Sequence, residues 1–233
     1  MIQSFPTRDT WAEAAADRLA GALAEALTAN GRALFAGSGG STPSPVYARL
    51  AQADLDWTKV TATLVDERYV PEASPASNAA LLKQTLLTGP AAAARFIPLY
   101  SPAVTVDRAA ALASQALAAE GRLLDAVLLG MGEDGHICSM FPGSPTLTTL
   151  LTPSLKPAVY GVPAGRDGAG PPQERLTLNL PWLASARRVV LALTGARKRA
   201  VFEREAAGDP AVSPIAALVA ANAPLEVIWT EAD

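Results

Sequence analysis

The chain has 233 residues, 50% of them hydrophobic and 18% charged, with a formal net charge of -3 and a pI near 5.3. That balance fits a globular protein with a sizeable core and offers no basic footprint for nucleic acid, so an anionic partner must be held by a local site. The N-terminus lacks a signal-peptide core, no apolar run approaches a membrane span, and the single cysteine cannot form an internal disulfide; a cytoplasmic protein without a membrane partner is expected.

In chain order, the Ala- and Leu-rich stretch at 7–29 predicts an amphipathic helix closed by Asn30 and Gly31. Strands are expected at 32–39, 60–70, 95–100 and 123–131, separated by helices near 43–53, 77–88 and 107–121. Residues 161–172, "GVPAGRDGAGPP", predict a loop and only a weak boundary. The strands "RRVVLALTG" and "LEVIWTE" then enclose the helix "ARKRAVFEREAAG" and a short helix near 214–221. Alternation of this kind predicts an α/β fold, a three-layer, mostly parallel, Rossmann-like sheet flanked by helices, with 1–233 as a single domain.

Four loops follow strand ends. In "LFAGSGGSTPSPVY" the glycines Gly39 and Gly40 let a backbone approach an anion, while Ser41, Thr42 and a following helix N-terminus add donors. The same loop is as readily a tight strand-to-helix turn, and it matches neither the P-loop nor the full dinucleotide fingerprint. "VDERYVP" puts Asp66, Glu67 and Arg68 at a strand end ahead of Ser77 and Asn78, and "LTGARKRA" puts Lys198 in a first helical turn. "GMGEDGHICSMFPGSP", residues 130–145, holds His136 and Cys138, the one histidine and the one cysteine of the chain, after an apolar strand that ends in glycines. A hydrogen-bonded loop histidine and a small buried thiol would also account for this pair.

Taken in order, "SGGSTP", "VDERYVP…SN", "GMGEDGHICSMFPGSP", "ERLTLNLP" and "LTGARKRA" resemble the 6-phosphogluconolactonases, relatives in fold of the glucosamine-6-phosphate deaminases, over nearly the whole chain. The resemblance implies the fold type of those deaminases, with a sugar-phosphate site at the C-terminal edge of the sheet. It implies His136 as catalytic base and no metal or nucleotide cofactor. The implied activity is hydrolysis of 6-phospho-D-glucono-1,5-lactone in the oxidative pentose phosphate pathway. The family usually has alanine where Cys138 stands, which makes Cys138 a small filler rather than a nucleophile. Ala76 and Ala184 depart from the family's more common acid and asparagine and put supporting contacts in question.

A lactone is an activated ester, and its hydrolysis needs a base for water, a donor for the oxyanion and a grip on the substrate. On this basis His136 is the base and Asp134 its orienting partner. Arg68 and backbone N–H groups serve the carbonyl and hydroxyls. Gly39, Gly40, Ser41, Thr42 and Lys198 hold the phosphate, with Asp66 and Arg175 as further substrate contacts. One histidine and one cysteine leave no obvious zinc constellation, although carboxylate-only sites stay open. The oligomeric expectation is a monomer or homodimer. Two rivals remain, a glucosamine-6-phosphate deaminase/isomerase and a non-enzymatic sugar-phosphate sensor domain. The sequence "ICSMFPG" argues against the first, and the lack of a basic DNA-binding extension against the second.

Overall fold

The computed structural model describes residues 2–103, 105–165 and 170–232. The chain opens with β1 (Ile2–Phe5), α1 (Arg8–Asn30), β2 (Ala33–Gly37), α2 (Ser44–Leu50), β3 (Val60–Leu64) and β4 (Asp66–Arg68). It continues with α3 (Asn78–Thr85), β5 (Arg95–Phe96), α4 (Val106–Ala118), β6 (Ala126–Leu129), α5 (Leu147–Leu150) and β7 (Val159–Val162). It closes with β8 (Arg175–Leu178), α6 (Leu180–Ala184), β9 (Val189–Thr194), α7 (Gly195–Ala206), α8 (Pro214–Ala220) and β10 (Leu225–Thr230). Among the described residues seven strands form a sheet in the order β1-β10-β9-β6-β2-β3-β5, and every pairing in it is parallel. Every residue of β2, β3, β6 and β9 is buried, as expected for parallel strands covered on both faces.

Helix α1 starts where Thr7 accepts from the Thr10 N–H at 3.1 Å, and it ends at Gly31, whose φ of 69° is the left-handed conformation that glycine adopts without penalty. Its buried stripe, Trp11, Ala15, Leu19, Leu23 and Ala26, lies against β2, β6, β9 and β10. At the N-terminal ends of the strands the buried Asp125 carboxylate accepts from the Leu34 N–H at 2.7 Å and pairs with Arg122 at 2.6 Å and Arg187 at 3.2 Å. This clip ties the start of β2 to the start of β6, and so fixes the relative height of the loops at their far ends.

The stretch at 60–70, expected as one strand, divides at Val65. Its N–H donates to Gly37 O at 2.9 Å, inside the large sheet, while its carbonyl accepts from Leu178 N at 2.9 Å. The chain thereby leaves one sheet for another, and β4 pairs antiparallel with β8 in a small sheet ordered β4-β8-β7. No signal in the sequence points to that sheet. The strand expected at 95–100 is only Arg95–Phe96, because Pro98 has no N–H to continue the ladder. The expected loop at 161–172 begins inside β7, which includes Gly161 and Val162, and its residues 166–169 lie outside the described residues. Edge strand β1 and the short helices α5 and α6 are additions to the elements expected from the sequence.

Candidate active site

From β2 the chain builds outward to β3 and β5, then returns through β6 to the other side of β2 and on to β9 and β10, beside which the N-terminal β1 forms the edge. The strand order therefore switches direction between β2 and β6. A crevice opens beyond the carboxyl ends of strands at such a point. The loops that leave β2 and β6 are "SGGST" and "GMGEDGH". Together with β4, β8 and the first turn of α7 they enclose a cavity of about 240 Å³. It is lined by Gly39, Gly40, Ser41, Thr42, Asp66, Arg68, His136, Arg175 and Lys198, nine of the ten residues singled out from the sequence. The tenth, Asp134, stands behind His136.

The first loop is shaped by contacts that sequence alone did not reveal. Tyr47, fully buried on α2, donates to Ser38 O at 2.6 Å, and its phenol is pushed far up, chiefly by burial. A side chain at Gly39 would collide with the Asn78 amide, and Gly40 has φ of 91°, so both positions require glycine. Helix α2 differs from expectation. It begins at Ser44 after Pro43, spans seven residues and carries no side-chain cap, so its dipole adds little at the crevice. The donors left to an anion are loop N–H groups and the hydroxyls of Ser41 and Thr42.

In the second loop Asp134 Oδ1 accepts from the His136 N–H at 3.2 Å and lies 2.5 Å from His136 Nδ1. A carboxylate only accepts, which puts the hydrogen on Nδ1 and leaves the lone pair on Nε2. Burial works upward on the Asp134 carboxyl, but the hydrogen bond and charge of His136 outweigh it and hold Asp134 below its ordinary range. The Phe141 ring lies 4.3 Å from the imidazole, centroid to centroid, and restricts its rotation. A side chain at Gly132 would strike the imidazole, which explains the glycine there. Cys138 has φ of 53° and is buried, and burial, with Asp66 nearby, pushes its thiol well up. A thiol held protonated is a poor nucleophile.

Arg68 and Arg175 are direct partners across the β4–β8 ladder. Each has a buried Nε without a hydrogen-bond partner among the described residues. Arg68 donates to Ala76 O at 2.6 Å, and Arg175, 12% exposed, lies 4.0 Å from Asp66 Oδ2. Burial lowers the Arg175 pKa; Asp66 opposes that effect and Arg68 adds to it. In α7, Arg197 and Arg199 pair with Glu133 and Glu203 at 3.0 Å, whereas Lys198 has no carboxylate partner among the described residues. Three cations thus face one crevice that, among the described residues, holds a single lining carboxylate, Asp66. Such a charge balance suits an anionic ligand.

Ser139, which sequence reasoning passed over, donates to Asp66 Oδ2 at 2.6 Å, and its N–H donates to Thr177 Oγ1 at 3.1 Å. These bonds dock the histidine loop on the small sheet. Its signal was the unexplained serine two residues beyond the histidine's neighbour in "HICS". Among the described residues no group of three or more His, Cys, Asp or Glu side chains could hold a metal ion, and no helix is long and apolar enough to cross a membrane.

The sequence model of the family described as glucosamine-6-phosphate isomerases/6-phosphogluconolactonase matches residues 6–229. The chain is 44% identical to a 6-phosphogluconolactonase of Rhizobium meliloti over 97% of its own length and 96% of the relative's. It is 42% identical to one of Mesorhizobium japonicum, over 97% and 93%. Its fold is similar to the crystal structure of a 6-phosphogluconolactonase from Shewanella baltica, with a TM-score of 0.89 and 33% identity over 99% of this chain and 97% of that one.

Proposed function

The chain belongs to the glucosamine-6-phosphate isomerase/6-phosphogluconolactonase family, and we propose that it hydrolyses 6-phospho-D-glucono-1,5-lactone to 6-phospho-D-gluconate with His136 as general base. One observation carries this reading. An imidazole held through Nδ1 by Asp134, its Nε2 without a hydrogen-bond partner among the described residues, shares a crevice with the cations Arg68, Arg175 and Lys198.

In this mechanism Nε2 takes a proton from water as the oxygen adds to the lactone carbonyl. Arg68 and loop N–H groups stabilise the resulting oxyanion. The C1–ring oxygen bond then breaks, and the imidazolium returns its proton to the leaving oxygen, which becomes the C5 hydroxyl. Asp134 stabilises the transient imidazolium and keeps the hydrogen on Nδ1. The phosphate rests on Gly39, Gly40, Ser41, Thr42 and Lys198, with Asp66 and Arg175 on the sugar. Holding the phosphate away from the reacting carbonyl orients the ring, so that remote binding energy lowers the barrier. No step uses a metal, a nucleotide or the Cys138 thiol.

The test is freshly prepared lactone incubated with chelator-dialysed protein, with spontaneous hydrolysis subtracted. Acceleration is expected. Its absence, with ammonia released from glucosamine 6-phosphate instead, would replace this reading by the deaminase one.

A further inference from the structure

Glu67 sits between two crevice residues without reaching the crevice. Along a strand successive side chains alternate, so Asp66 and Arg68 face the cavity while Glu67 turns away from it and is fully buried. A buried carboxylate needs partners, and this one has four. Oε1 accepts from the N–H groups of Arg68 and Asn78, each at 2.7 Å. Oε2 accepts from Ser77 Oγ at 3.0 Å and Ala79 N at 2.8 Å. Asn78 and Ala79 open α3, and their N–H groups have no partner within the helix. The next one, on Ala80, goes to Ser77 Oγ at 3.2 Å.

The carboxylate therefore closes the segment 68–78 into a loop whose two ends meet at one side chain. Arg68 uses that loop directly, because its guanidinium donates to Ala76 O, one residue before Ser77. The carbonyl that aims the guanidinium is thus held by the carboxylate beside it. We propose that Glu67 is a positioning residue, which fixes the Arg68 guanidinium in the crevice by tying both ends of the loop that carries its acceptor. The proposal rests on the lactonase reading for its assay, not for its geometry.

A glutamine at this position keeps the volume but turns an NH2 group toward two donors. Glu67→Gln is expected to lower kcat/KM about ten- to a hundredfold, the scale for charge-assisted hydrogen bonds lost and a reacting partner displaced. The decisive measurement is the cycle of Glu67→Gln, Arg68→Ala and the double variant, followed by kcat/KM for the lactone and by calorimetric affinity for 6-phosphogluconate, all well below each thermal midpoint. If Glu67 acts through Arg68, the double variant loses no more than about twofold beyond Arg68→Ala alone. Losses that multiply, or wild-type behaviour of Glu67→Gln, overturn the proposal. Should Glu67→Gln fail to fold, Ser77→Ala removes one of the four bonds and runs the same cycle, with non-additivity again required.

The two readings separate cleanly. A wild type that binds 6-phosphogluconate with a non-additive cycle but leaves the lactone untouched keeps the positioning role and removes the lactonase. Lactone turnover with an additive cycle does the reverse. Neither binding nor turnover would overturn both.

Discussion

Replacing Asp134 by Asn removes the negative charge behind His136 and little else, since the amide oxygen can still accept from Nδ1 and the shape is kept. The magnitude follows from the geometry. With Oδ1 2.5 Å from Nδ1, the two charge centres lie about 4 Å apart, where unit charges interact by about 1 kcal/mol in bulk water and about 4 kcal/mol at an effective dielectric of about 20. The Asp134 side chain is 54% exposed and that of His136 29%, so screening pulls the interaction toward the lower end. About 1–2 kcal/mol is then lost when the imidazolium forms, a fall in kcat of roughly five- to thirtyfold with KM little changed. The assay is pH-stat titration of acid released from the lactone. Its pH dependence gives a second check. Because His136 holds the Asp134 carboxyl below its ordinary value, the charge is present above the usual carboxylate range and is lost only as pH falls through the lowered value. The ratio of wild-type to variant rate should stay constant wherever the imidazole of both is neutral, because Asp134 keeps its charge throughout that range. A loss under twofold would mean that the charge is idle, and one above about a thousandfold would make Asp134 a proton-transfer group in its own right.

Further outcomes are expected. His136→Asn should retain the circular dichroism and product binding of the wild type while kcat drops roughly 10² to 10⁴-fold, and a wild-type rate would reduce His136 to a loop residue. Lys198→Ala should cost roughly one to two decades in kcat/KM on the phosphorylated lactone and little on glucono-δ-lactone, the scale of a charge-assisted contact. Equal losses on both substrates would move the phosphate contact to Arg175 or elsewhere. Cys138→Ala should stay within a few-fold of wild type, because its thiol is held protonated by burial and no step needs it; a folded but inactive variant would contradict that.

The order of motifs, the parallel sheet and the candidate residues at strand ends were legible in the sequence because each depends on local information. An apolar run that stops at glycines marks a buried strand and its exit, whatever surrounds it. The chemistry of His136, Arg68 and Lys198 likewise belongs to the residue type. What stayed hidden was decided by partners far along the chain. Nothing within 60–70 announces that Val65 bonds to Gly37 on one side and to Leu178 on the other, so the change of sheet was invisible. Residues 2–5 become a strand because β10, more than 200 positions later, offers an edge. The same holds inside the site. Glycine at 39 reflects the Asn78 amide packed against it, and the burial of Glu67 reflects the helix N-terminus that it closes. Backbone groups must find partners wherever the folded chain supplies them, and buried charges likewise. Local sequence therefore set which groups were available for chemistry, and long-range pairing alone determined which of them face the crevice together.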